Sequence, residues 1–71
     1  MNQTRIGSYI ARKRREKNLT QEQLAEALGV TAGAVYKWES RLSLPELPML
    51  VQLADFFDTS VDAAHRLHHQ G

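Results

Sequence analysis

The segment 21–40 constrains the fold of this chain more than any other part of the sequence. It holds two apolar stripes of helical spacing on either side of Gly29, a residue that can take a positive φ in a tight turn. Ala25 is small enough for two helices to cross steeply beside that turn. Thr20 and Gln23 predict a capping box at the start of the first of these helices. The apolar residues that would hold both helices to a core are Leu24, Leu28, Val30, Val35 and Trp38.

Helix start and stop signals recur at short intervals through the rest of the chain. Asn2 or Thr4 can open a first helix, and Asn18 can end it in the left-handed conformation. Thr31 is placed to cap the third helix, and Pro48 fits the first turn of a fourth. Because no segment alternates with the period of a strand, we predict an all-α fold.

The end of the sequence predicts one further helix. Asp58 and Thr59 are expected to break the fourth helix, and Ser60 is expected to cap a fifth. We therefore predict a single domain of five short helices over residues 1–71, because the chain is too short for a second core. The apolar faces expected to pack are Ile6, Tyr9 and Ile10 in the first helix and Leu50, Leu53, Ala54 and Phe57 in the fourth.

Charge is unevenly distributed along the chain, although its net value is only +1. Residues 1–41 hold eight of the nine lysines and arginines with four glutamates, and therefore carry +4. Residues 42–71 hold one arginine with four acidic residues, and therefore carry −3. The basic half suits the phosphates of a nucleic acid, whereas the alternative interpretation is an ordinary solvated helix surface.

Several classes of function have no support in the sequence. It contains no cysteine, no glycine-rich phosphate loop, no nucleophile signature and no paired carboxylates in an apolar setting. We therefore expect no enzyme activity and no cofactor. His65 has the helical spacing of a metal pair with His68 or His69, but no cysteine accompanies them and we expect no metal. Without a signal peptide or a spanning segment, the expected location is the cytoplasm.

The motif segment and its surroundings resemble a known family. The likeness to the phage-repressor (Cro-like or Xre) helix-turn-helix family runs from about Ile6 to Val61. It implies a compact five-helix, lambda-repressor-like domain in which helices 2 and 3 form the motif and helix 3, residues 31–40, enters the major groove. It also implies a sequence-specific regulator of transcription, a repressor, that binds double-stranded DNA as a homodimer. The stretches that carry the resemblance are 19–25 (LTQEQLA), 28–31 (LGVT) and 36–39 (YKWE).

The resemblance also implies roles for individual residues. Gln21, at the start of helix 2, would donate a hydrogen bond to a phosphate. Arg14 and Glu39 match a pair that ties helix 1 to the end of helix 3 in the family. The remaining positions expected to meet bases or the adjacent DNA backbone are occupied by Thr31, Ala32, Gly33, Tyr36, Lys37, Ser40 and Arg41.

Helical spacing supports part of this assignment independently. Tyr36 lies four residues after Ala32 and three after Gly33, which puts all three on one surface of the helix. Lys37 is adjacent to the apolar Trp38 and must therefore project from a different face than that residue.

Some positions depart from the family pattern. Ala32 and Gly33 replace the polar side chains that are common at the start of recognition helices, so readout of bases by side-chain hydrogen bonds is limited. Arg41 stands where glycine is frequent after helix 3, and Leu42 and Leu44 are unusually apolar for that loop.

These departures leave a second interpretation open. The chain could be a protein-interaction module on the same fold, an antirepressor or antitoxin-like partner that binds through Leu42, Leu44 and Phe56. In the homodimer interpretation, Phe56 and the last helix would form the contact between the two copies. Ala63 and Ala64 offer little area for that contact.

Overall fold

Four helices make up the computed structural model, which describes residues 3–70 and the side chains of residues 5–58. No strand occurs among the described residues, so the prediction of an all-helical fold is confirmed. The predicted count of five helices is not confirmed. The helices are α1 (Gln3–Glu16), α2 (Gln21–Leu28), α3 (Ala32–Glu39) and α4 (Leu47–Gln70).

The difference in helix count arises at Asp58 and Thr59, where α4 continues without the predicted break. Asp, Thr and Ser are weak helix formers, but each differs from alanine by less than about 0.7 kcal/mol in a helix interior. No glycine or proline occurs between Met49 and Gln70 to impose a stop. Residues with a capping tendency therefore do not end this helix by themselves.

The first three helices end in the same hydrogen-bond pattern, the Schellman motif. In each motif a residue in the left-handed region is followed by an apolar residue whose amide donates to a carbonyl five positions earlier. The left-handed residues are Asn18 (φ 60°), Gly29 (φ 77°) and Arg41 (φ 66°). The closing bonds join Leu19 to Arg14 at 3.1 Å, Val30 to Ala25 at 2.9 Å and Leu42 to Lys37 at 2.8 Å.

This pattern confirms the predicted helix stops at Asn18 and Gly29. At Arg41 it explains why glycine is favoured after the third helix, because a side chain with a Cβ is strained in the left-handed region. The turn between α2 and α3 therefore needs only Gly29, Val30 and the N-cap residue Thr31, and it sets the two helices of the motif directly against each other.

The core lies where α1, α2, α3 and α4 meet. Most of the predicted apolar faces contribute to it, but Ala54 is exposed, and that prediction is wrong. Leu53 and Phe57 define the buried face of α4, and the residue after Leu53 is rotated by about 100° from it. The buried cluster consists of Ile10, Leu24, Ala25, Leu28, Val35, Trp38, Leu53 and Phe57.

An aromatic group joins α1 to α4 at the edge of this core. The rings of Tyr9 and Phe57 meet edge to face at 5.8 Å, and those of Phe56 and Phe57 meet at 5.5 Å. Burial, with the nearby Asp58 carboxylate, raises the pKa of the Tyr9 hydroxyl, which Arg12 partly opposes. The Tyr9 hydroxyl therefore stays protonated and uncharged at neutral pH.

Gly7 allows α1 to approach the end of α3 more closely than any residue with a side chain could. A Cβ at this position would lie 2.6 Å from the carbonyl oxygen of Trp38 and 3.2 Å from that of Glu39. Because both atoms belong to the backbone of α3, no side-chain movement could relieve the overlap. Nothing in the sequence around Gly7 indicates this close approach, which fixes where the end of α3 lies.

Candidate nucleic-acid interface

The start of α2 is held by the capping box that the sequence predicts. The hydroxyl of Thr20 accepts from the Gln23 amide at 3.0 Å, and the Gln23 side chain accepts from the Thr20 amide at 2.8 Å. The amides of Gln21 and Glu22, which precede this bond in the first turn, have no intrahelical acceptor. They give the start of α2 the partial positive charge that favours an anion.

The start of α3 is also capped by a threonine, but without the reciprocal bond of a capping box. Thr31 has extended backbone angles, and its hydroxyl accepts from the Ala34 amide at 3.1 Å, which confirms it as the N-cap. Gly33, in the first turn, is exposed, and a Cβ there would meet only the Thr31 hydroxyl, at 3.8 Å. Packing within the chain therefore does not require a glycine at this position.

The two faces of α3 are clearly separated. Val35 and Trp38 are buried against the core, while Tyr36 is 53% exposed and Lys37 is exposed beside it. Ala32 is half-buried and packs against the core, so only part of its methyl group faces outward. The other predicted interface residues are Thr31, Gly33 and Arg41, which are exposed, and Ser40, which is half-buried.

The structure brings Arg14 and Glu39 together as a bidentate pair. Arg14 Nε donates to Glu39 Oε2 at 2.7 Å, and a terminal nitrogen donates to Glu39 Oε1 at 3.1 Å. The third nitrogen donates to the carbonyl of Leu19 at 2.8 Å. The two side chains are only 14% and 9% exposed, so solvent screens the pair weakly. One guanidinium thus joins the end of α1, the turn before α2 and the end of α3.

Gln21 belongs to the same network. Its carboxamide nitrogen donates to Glu39 Oε1 at 3.0 Å, a contact that nothing in the sequence predicted. Because a carboxamide nitrogen carries two hydrogens, a second N–H can still be donated outward. The structure therefore fixes the orientation of the one side chain at the start of α2 to which the family resemblance assigns a phosphate contact.

The remaining cations in the last turns of α1 and just after it differ in exposure and in their partners. Lys13 lies 3.8 Å from Glu16 and 6.0 Å above the ring of Tyr9. Arg12 and Arg15 are exposed, and Lys17 is half-buried. These arginines and lysines therefore do not form one uniform basic face.

Other expectations concern metal ions, membranes and protein partners. Within the described residues, no three histidines or acidic residues converge as metal ligands, and no helix is long and apolar enough to cross a bilayer. The side chains of His65, His68, His69, Ala63 and Ala64 lie outside the described residues. Leu42 and Leu44 are exposed, whereas Phe56 is half-buried and packs against the core.

Helices α2 and α3 are both capped by threonine and meet at a turn with a left-handed glycine. The partly buried Arg14–Glu39 pair lies behind α3, and the outer face of α3 is exposed. These features define a helix-turn-helix DNA-binding domain. The helix-turn-helix family profile matches residues 10–63, and the chain belongs to this family, in its Cro-like (Xre) branch. The family resemblance inferred from the sequence is thereby confirmed.

Two curated relatives are similar to the chain. The HTH-type transcriptional activator BcrR of Enterococcus faecalis is 48% identical over 46 residues, which cover 65% of this chain and 22% of that protein. The cryptic phage CTXphi transcriptional repressor RstR of Vibrio cholerae is 34% identical over 58 residues, which cover 82% of this chain and 52% of that protein. The chain thus spans about half or less of the length of these relatives. No solved structure matches it.

Proposed function

We propose that the chain regulates transcription by binding a specific sequence of double-stranded DNA, as a repressor whose helix 31–40 lies in the major groove. The observation that carries this proposal is the separation of α3 into a buried face and an exposed face, held in place by the Arg14–Glu39 pair. Of the two relatives described above, the one that covers more of this chain, 82% of it, is named a transcriptional repressor, which favours repression over activation.

The proposed contacts follow from the exposure of each residue. The amides at the starts of α2 and α3, with the Gln21 side chain, would bind phosphates, and Arg41 and Ser40 would do so at the other end of α3. Tyr36 and Lys37 would reach base edges, Lys37 to a guanine or a phosphate.

The small residues at the start of α3 have a separate role in this proposal. Because packing does not require a glycine at Gly33, its small size, with that of Ala32, would serve a close approach of the helix to the groove floor. The remaining discrimination would come from the shape and deformability of base pairs that the protein does not touch.

The wider arrangement is proposed on the same basis. The chain would act as one domain over residues 1–71, with its motif at 21–40, as a homodimer on half-sites about one helical turn, near 34 Å, apart. We place it in the cytoplasm with the DNA and propose no enzymatic activity and no cofactor. The use of Phe56 as a dimer contact stays a prediction.

A protein-interaction module is the second candidate function. The exposure of Leu42 and Leu44 favours it, because both lie in a loop where polar residues would be expected. Selection from random-sequence duplexes separates the two. Enrichment of a motif, lost in Tyr36→Ala and Lys37→Ala variants that melt like the parent chain, supports the DNA regulator; no enrichment supports the protein partner.

DNA affinity should depend strongly on salt. If the protein neutralises roughly four to six phosphates, the logarithm of the association constant should fall with the logarithm of salt concentration at a slope near −4 or steeper. Fluorescence anisotropy titrations from about 50 to 200 mM salt would measure it. Lys37→Ala should make the slope shallower by about 1 if Lys37 binds a phosphate. A flat response in the parent chain would exclude the proposed function.

Replacing Arg41 by glycine should move stability and DNA affinity in opposite directions. Relief of the left-handed strain at Arg41 should stabilise the fold by about 0.5–1 kcal/mol. Loss of the guanidinium should weaken DNA binding several-fold. Urea unfolding and anisotropy measure the two effects, with Asn18→Gly as the control, since Asn18 has a similar φ without a charge. A destabilised Arg41→Gly variant would mean that contacts of the arginine side chain outweigh its strain.

A further inference from the structure

A hydrogen bond joins α4 to the helix-turn-helix motif. The side-chain nitrogen of Gln52 donates to the main-chain carbonyl of Leu28 at 3.1 Å, and the bond is partly buried. Gln52 is exposed, but it is adjacent to Leu53, which belongs to the same buried cluster as Leu28. The donor therefore comes from a turn of α4 whose position is already set by packing against the motif.

The carbonyl of Leu28 is one of those at the end of α2 for which the helix itself has no donor. The Schellman motif there does not supply one, because the amides of Gly29 and Val30 donate to carbonyls earlier in α2. Leu28 is only 5% exposed, and a poorly exposed acceptor costs stability when it is left unpaired. Gln52 therefore provides from α4 the donor that α2 and its turn do not.

Leu28 lies immediately before the turn that leads into α3. Thr31, the N-cap of α3, follows at the end of that turn, so a restraint on the Leu28 carbonyl limits where the start of α3 can lie. The two ends of α3 are held by different side chains. Arg14 holds the last turn through Glu39, whereas Gln52 holds the main chain just before the first turn. In the proposed binding mode, the first turn is the part that comes closest to the groove floor.

We infer that Gln52 is a positioning residue for DNA recognition, because its hydrogen bond to the Leu28 carbonyl fixes the start of α3 in the orientation that meets the groove. Gln52 acts through the main chain of Leu28 and needs no contact with DNA itself. The inference rests on the proposed function. The start of α3 can also be studied without DNA, however, so the two can fail separately.

Gln52→Glu tests the inference, because glutamate keeps the shape of glutamine but its carboxylate cannot donate a hydrogen bond at neutral pH. Affinity for a duplex selected from random sequences should fall about five- to tenfold more than affinity for a scrambled duplex of equal length. Loss of folded protein alone would lower both affinities by the same factor, so the ratio of the two affinities separates positioning from stability. Val51→Glu is the matched control, since it adds the same charge at the neighbouring exposed position and should leave the ratio unchanged.

Gln52→Lys is the rescue variant. A lysine ammonium can donate to the last carbonyls of a helix, so the ratio of the two affinities should stay near that of the parent chain. An unchanged ratio in Gln52→Glu, an equal fall in Val51→Glu, or a ratio in Gln52→Lys as low as that in Gln52→Glu would each overturn the inference.

Hydrogen exchange followed by NMR tests the position of α3 without DNA. In Gln52→Glu, the amides of Val30 and Ala34, in the turn and the first turn of α3, should exchange about five- to tenfold faster. The amide of Leu19, which closes the same motif at the end of α1, should exchange as in the parent chain. Equal acceleration at all three amides would show only a general loss of stability and would overturn the inference. Acceleration at Val30 and Ala34 alone, without any enriched DNA motif, would support the positioning of α3 while excluding the proposed function.

Discussion

Replacing Gly7 by alanine should destabilise the fold by about 2–3 kcal/mol, even though alanine favours helix by about 1 kcal/mol. The new methyl group would lie 2.6 Å from the Trp38 carbonyl oxygen, and backbone cannot rotate away as a side chain can. Helix α1 would have to move off the end of α3. That movement would loosen the core around Ile10 and lengthen the hydrogen bonds between Arg14 and Glu39.

Urea unfolding followed by circular dichroism measures this effect, and the chain offers a matched control. Gly33→Ala makes the same chemical change in a helix, but its Cβ would meet only the Thr31 hydroxyl, at 3.8 Å. The control should be neutral or stabilising by up to about 1 kcal/mol. Equal stabilities for the two variants would show that α1 and α3 do not approach as closely as described.

Removing either member of the Arg14–Glu39 pair should destabilise the fold by about 2–3 kcal/mol. Arg14→Met leaves a poorly exposed carboxylate with only the Gln21 amide as a partner, and Glu39→Gln leaves a guanidinium without its counter-charge. Methionine also cannot donate the hydrogen bond that Arg14 makes to the carbonyl of Leu19. Arg14→Lys should lose part of this amount, since an ammonium cannot reproduce a planar bidentate contact.

A double-mutant cycle by chemical denaturation isolates the pair itself. The double variant should be less destabilised than the two single variants added together, with a coupling energy of about 1–3 kcal/mol. Additive losses would show that the two residues stabilise the fold independently. Because Gln21 donates to the same carboxylate, Glu39→Gln should also weaken DNA binding more than its loss of stability explains.

Local signals account for the part of the fold that the sequence predicts well. The caps at Thr20 and Thr31 and the stop at Gly29 depend on residues within a few positions of each other, and each has one dominant physical role. The sequence also predicts which face of α3 is buried, because Val35 and Trp38 both belong to that face. These features are enough to position the candidate interface.

The features that the sequence did not predict depend on distant parts of the chain, and one local prediction was wrong. Gly7 carries no local sign that Trp38 lies behind it, and a glycine within a helix predicts only lower stability. Nothing near Gln21 indicates Glu39 as its acceptor, since α2 and the end of α3 meet only in the folded chain. The break predicted at Asp58 relied on weak capping preferences, which an uninterrupted helix overrides.

The hydrogen bonds around Arg14 have a consequence for how the binding preference of such a domain can change over time. They hold the end of α3 through Glu39 and connect it to the turn before α2 through the carbonyl of Leu19. None of these bonds involves a side chain on the outward face of α3. Tyr36 and Lys37 can therefore be exchanged with little penalty in folding. Under the proposed binding mode, selection or design could therefore change the preferred DNA sequence through these two positions without changing the fold.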